Sequence, residues 1–136
     1  MVLKIERLVL SVVALFAFIF VYDWVYHMVL MHDQYAHTAS LWRTQEEMQG
    51  YFHWAVIVQL LFAFVVTLLY GRYAAGKGLD EGVRFGLYIG LVLGLMCFGM
   101  YAYMPIPLSM ALAWLVGDII KGIGIGVLLS LTYKSI

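Results

Sequence analysis

Four apolar runs, each close to the ~20 residues that a helix needs to cross a bilayer, fill most of this 136-residue chain. Hydrocarbon offers no partner to a backbone N–H or C=O. A spanning segment must therefore satisfy its own hydrogen bonds, which a helix does. The runs fall at about residues 8–30, 45–70, 83–104 and 107–133. They predict an all-α fold, a polytopic membrane protein built as one four-transmembrane-helix bundle over residues 1–136. Only 12% of the residues are charged, about half the ~25% of a soluble domain. Eight basic side chains balance eight acidic ones, so no basic surface invites nucleic acid.

The first run follows a basic start, MVLKIER, as the core of a signal peptide would. It is longer than such a core, and it ends on FVYDW, which is bulky where cleavage needs small residues. It reads as an anchor that stays, and it is long enough to continue past the membrane towards His37. The second helix is expected to start near residue 45, because Thr44 and Glu47 have capping-box spacing. Glu46 and Glu47 then lie in the first turn, where the helix dipole favours carboxylates. GRYAAGKGLDEG (71–82) reads as a Gly-rich turn. In MPIP (104–107) Pro105 ends one helix and Pro107 suits the start of the next. A connection that short makes the third and fourth helices antiparallel neighbours.

Four crossings put Lys4, Arg7, Arg72, Lys77, Arg84 and Lys134 on one side, with Arg43 alone on the other. The positive-inside rule then places both termini in the cytoplasm. Trp24, Trp42 and Trp54 gather at the opposite, outer face, as an interfacial belt would. Gly86, Gly90 and Gly94 recur every four residues on the third helix, and the fourth carries Gly117, Gly122, Gly124 and Gly126. Such stripes let backbones approach closely in lipid, within one chain or between copies. Met96, Met100 and Met104 form a second stripe beside Cys97, a lone cysteine with no intrachain disulfide partner. Thioethers fill gaps, and they also ligate copper(I).

YDWVYHMVLMHDQYAH (22–37) holds three of the four histidines, and His53 follows sixteen residues later. Counted inward at ~1.5 Å per residue, His27 and His53 lie at a similar depth on neighbouring helices. Asp23 precedes His27 by four residues, placing a carboxylate where it can accept from an imidazole N–H and sharpen the other nitrogen as a ligand. This predicts a polar outer site of His27, His53 and Asp23, with His32, His37, Glu46 and Glu47 as further donors. Zinc, copper or a bis-histidine haem b suits those groups. Interfacial hydrogen bonding and a proton-responsive switch are the other uses of such imidazoles. Three histidines spaced five apart do not share one helical face, since five residues advance the azimuth by about 140°.

Asp118 lies ~16 Å into the fourth helix, near the middle of a ~30 Å core. Lys121 is one turn on, so the two can pair, or Lys121 can snorkel towards headgroups. Ionisable groups at that depth mark structural pairs or ion pathways. Gln59 is the expected polar partner from another helix.

Taken together, WVYH (24–27), YAHTASLWR (35–43), the Gly-spaced third helix and YMPIP (103–107) resemble a group of small four-helix bacterial integral membrane proteins of uncharacterised function. The resemblance implies a bacterial inner membrane and a four-helix fold, and it brings no activity, cofactor or site. The leading expectation is a non-enzymatic membrane protein with the outer His/Asp site. The alternatives are an oligomeric transporter or proton pathway using Asp118 and Lys121, and a structural subunit of a membrane complex. Its expected partners are the lipid bilayer and either further copies of itself or other membrane subunits.

Overall fold

The computed structural model describes residues 5–133, so Lys4 and Lys134 lie outside the described residues. Helix α1 spans Ile5–Asp23 and continues unbroken into a π-helical segment, Trp24–Leu30. The short α2 (His32–His37) and a 3-10 turn at Ala39–Leu41 lead into α3 (Gln45–Tyr73). Then come α4 (Leu79–Gly99), a second 3-10 turn at Met100–Ala102, and α5 (Leu108–Thr132). Four stretches are long and apolar enough to cross a membrane: Ile5–Leu30, Gln45–Tyr73, Leu79–Ala102 and Leu108–Thr132. Among the described residues there is no strand.

Local chemistry sets the helix ends. Thr44 Oγ1 accepts from the Glu47 amide at 3.2 Å, and the Thr44 amide donates to Glu47 Oε2 at 2.9 Å. That closed box starts α3. At ~1.5 Å per residue its 29 residues run ~44 Å, longer than the ~30 Å of a hydrocarbon core. Helix α4 begins at Leu79, four residues earlier than its apolar run suggests. Gly78 supplies a positive φ of 93° at the cap, and Asp80 and Glu81 occupy the first turn. Carboxylates favour that position, so the charged residues of the turn belong to the helix.

Helices α4 and α5 are joined by glycine. Added Cβ atoms at Gly82, Gly86 and Gly90 would strike the carbonyl oxygens of Gly126, Gly122 and Asp118. One at Gly94 would sit 2.9 Å from the Leu115 carbonyl oxygen. Each step of four along α4 descends about four along α5, which is an antiparallel pair in backbone contact. Helix α1 lies between α5 and α3.

Call the end carrying residues 31–44 and 100–107 the upper end. In the lower half all four long helices meet around Leu15, Ile19, Val66, Tyr70, Ile125 and Leu129. The Tyr70 ring meets Phe85 at 5.4 Å and Tyr133 at 6.1 Å, both edge-on. A second apolar cluster at the upper end centres on Met31, Ile106, Met110 and Ala111. Helix α3 joins the bundle through its lower half, where Ala63, Val66, Thr67, Tyr70 and Gly71 are buried. Above Ala63 only Val56, Gln59 and Phe62 are even half-buried, so its upper half stands away from the bundle.

Gly86→Leu should therefore cost ~3 kcal/mol or more, because backbone rather than a flexible side chain opposes it. Gly50→Ala, at a mid-helix site with nothing within 4 Å, should stabilise by ~0.5–1 kcal/mol. Reversible unfolding in mixed micelles reads both.

Candidate functional site

Asp23 ends the regular part of α1, and there the chain changes its hydrogen bonding. The Met31 amide reaches back five residues to the Tyr26 carbonyl at 2.9 Å, the π-helical pattern, which is rare and frequent at functional sites. With five residues closing each ring, four no longer complete a turn. Tyr22 and Tyr26 stack at 5.8 Å and 7°. Their hydroxyls donate to the carbonyls of Gly117 and Ala113, each at 2.6 Å. Gly117 is required here, since a Cβ would run into the Tyr26 ring. These two bonds tie α1 to α5 on either side of Asp23.

Asp23 consequently meets α5 instead of the histidines. Lys121 Nζ lies 2.9 Å from Asp23 Oδ1 and 2.9 Å from Asp118 Oδ1. Gln59 Nε2 donates to Asp23 Oδ2 at 3.0 Å. The Cys97 thiol of α4 lies beside Asp118. Every long helix thus adds a polar group to one cluster, set between the two apolar clusters. Asp118 and Lys121 are 8% and 9% exposed, so the ammonium points inward and does not snorkel. Gln59 partners the charge cluster, but it does so through Asp23. The pair read from sequence is two of the five groups in this cluster.

The expected site of His27, Asp23 and His53 is not assembled. Both Asp23 oxygens face Lys121 and Gln59, while His27 Nδ1 is 2.8 Å from the Tyr35 hydroxyl. The exposed His53 packs on Trp54 with ring centroids 5.4 Å apart. Exposed His37 places Nδ1 2.7 Å from the Asp33 carbonyl, a local bond within its own turn. Glu47 serves the α3 cap, and Glu46 is exposed beside it. Among the described residues no group of three or more His, Cys, Asp or Glu could hold a metal ion.

His27 and His32 do come together around a different feature. A cavity of about 400 Å³ opens at the upper end, lined by His27, Met28, His32, Tyr35, Ala36, Ala39, Trp42, Arg43, Thr44, Gln45 and Met48. It lies between the π-segment, α2 and the start of α3, where α3 stands away. Its walls are mostly apolar and its polar groups are few, as small-molecule sites are. The Tyr35 hydroxyl fixes one wall by accepting from Trp114 Nε1 at 2.8 Å. Burial pushes the Tyr35 phenol above its usual pKa, the Trp114 bond opposing that in part, so it keeps its proton. Trp42 Nε1 donates to Thr38 Oγ1 at 2.9 Å, and Thr38 in turn donates to the Gln34 carbonyl.

Tyr22, Tyr26, Tyr35 and Trp114 were not foreseen from sequence. The Tyr-x-x-x-Tyr spacing around Asp23 was the available signal, but its facing Gly117 lies 91 residues beyond Tyr26. Comparison with protein-family models, characterised proteins and solved structures returns no match.

Lys121→Met leaves two carboxylates facing each other without their cation. Removing one partner from a buried ion network costs ~3–5 kcal/mol, which unfolding in mixed micelles should show. Adding Asp23→Asn and Asp118→Asn to that variant should recover much of the loss.

Proposed function

We propose that the protein is a non-enzymatic, multi-pass membrane protein that binds a small organic molecule in its upper cavity. The single observation that carries this reading is a cavity of about 400 Å³ with His27, His32, Tyr35, Trp42 and Arg43 in its wall. That volume lies within the ~300–1,000 Å³ of organic-ligand sites. It is far larger than a bare ion needs at metal–nitrogen distances near 2 Å. A bare metal ion draws no support from the side chains either, since among the described residues no group of three or more His, Cys, Asp or Glu could hold one. The charge distribution, with Arg7, Arg72, Lys77 and Arg84 against Arg43, favours cytoplasmic termini. The cavity then sits at the extracytoplasmic headgroup level of a bacterial inner membrane.

A second reading rests on the intramembrane cluster. Two carboxylates, an ammonium, an amide and a thiol drawn from all four spans are the equipment of an ion or proton pathway. In that case proteoliposome flux should collapse in Asp118→Asn, and unchanged flux would remove the reading.

The leading reading is tested by native mass spectrometry of gently purified protein. Wild type should carry a non-covalent organic adduct that Ala39→Trp, which fills the cavity, does not. An identical adduct profile in both proteins would sink the cavity reading. So would a stoichiometric metal or a Soret band in the wild-type preparation.

A further inference from the structure

The polar side of the upper cavity carries no carboxylate: no Asp or Glu is among the residues that line it. The Tyr35 oxygen accepts the Trp114 N–H, and His27 Nδ1 lies 2.8 Å from that oxygen, the direction of this bond being set by the His27 tautomer. A neutral imidazole that accepts at Nδ1 carries its own proton on Nε2. With the Tyr35 proton given to Nδ1, the relay Trp114 to Tyr35 to His27 ends in an N–H, on a ring that lines the cavity. A lone pair for a metal is not what this tautomer offers.

Arg43 adds a full charge. Its guanidinium lies over the Tyr51 ring, 3.9 Å from the centroid. Among the described residues no ion pair neutralises Arg43. Guanidinium is a donor fork that matches carboxylate and phosphate oxygens two at a time. Beside His32, Thr44 and Gln45, the rest of the wall offers adaptable apolar surface, with thioethers at Met28 and Met48 and small residues at Ala36 and Ala39. Methionine moulds itself to flexible apolar bodies.

Resting on the reading of this cavity as a small-molecule site, we infer that its ligand is an amphipath with an oxyanion head on an apolar chain. The head, carboxylate or phosphate, is held by Arg43 and the His27 N–H, and the chain lies against Met28, Ala39 and Met48. A free fatty acid and an acidic phospholipid both carry this chemistry. Charge complementarity decides for an anion, since the cavity wall holds a cation and no carboxylate. Its position between apolar helices and the upper polar loop decides for an amphipath over a soluble anion.

Trp42, itself in the wall, supplies the readout. The full chain is reconstituted in phosphatidylcholine vesicles containing a minor fraction of dibrominated stearate, dibrominated phosphatidylglycerol or dibrominated phosphatidylcholine. Bromine quenches tryptophan emission on contact, and the difference between wild type and Trp42→Phe isolates Trp42. Quenching of Trp42 should be several-fold stronger with an anionic probe than with the phosphatidylcholine probe. Arg43→Gln should abolish that preference, while Lys77→Gln, a cation at the opposite end, keeps it. Stearate alone active identifies a free fatty acid, and phosphatidylglycerol active identifies a phospholipid head. Equal quenching by all three probes in wild type, which needs no variant to fold, overturns the inference. Anion preference surviving in Arg43→Gln does the same. A neutral adduct lost in Ala39→Trp, together with equal quenching, would refute the oxyanion while leaving the small-molecule cavity intact.

Discussion

Lys121 touches two carboxylates from two helices, Asp118 on its own α5 and Asp23 on α1. Hydrocarbon charges at least ~2.5 kcal/mol for a lone ionisable group near its centre, so these groups are tolerable only together. Their meeting fixes the height of α1 against α5. The Tyr22 and Tyr26 hydroxyls then bind carbonyls one turn apart on α5, and Gln59 brings α3 to the same level. Apolar packing alone would not choose this register, because one greasy face slides over another at little cost. A charged knot between two apolar clusters does choose it.

The glycine contact of α4 with α5 complements the knot. It needs no polar group, since close backbone approach gains dispersion contact where lipid removes the hydrophobic drive. The two devices divide the molecule. Helices α4 and α5 form one tightly joined pair, α1 is pinned to that pair by hydrogen bonds, and α3 is held chiefly below Ala63. The looseness of the upper half of α3 is what leaves volume beneath Trp42 and Arg43. The cavity is thus a consequence of where the bundle stops packing.

Much of this architecture was legible in the sequence, for physical reasons. Hydrophobic runs report spans directly, since lipid leaves a backbone few choices. The Thr44–Glu47 box and the four-residue glycine spacing are local codes, readable without knowing the partner. The site was less legible. Asp23 was assigned to His27 by α-helical spacing, and a π-helical segment with no sequence signature cancelled that spacing. Asp118 and Lys121 were visible as a pair, but their link to Asp23 joins residues 95 and 98 positions apart. His27 and His32 are legible as polar outer residues, whereas the Tyr35–Trp114 bond beside His27 depends on tertiary contact alone.

The π-helical stretch at Trp24–Leu30 has one more consequence. Wider winding packs more residues into the same rise, so the chain there holds slack that an ordinary helix lacks. Were those residues to rewind to the tighter pitch, the part above Asp23 would turn by about 100° for each residue gained or lost from the register. The imidazole at position 27 would leave the cavity wall while Asp23, below the unwinding point, kept its grip on Lys121. The bond from Tyr26 to Ala113 and the buried Met31 hold the upper end of the first span against that turn.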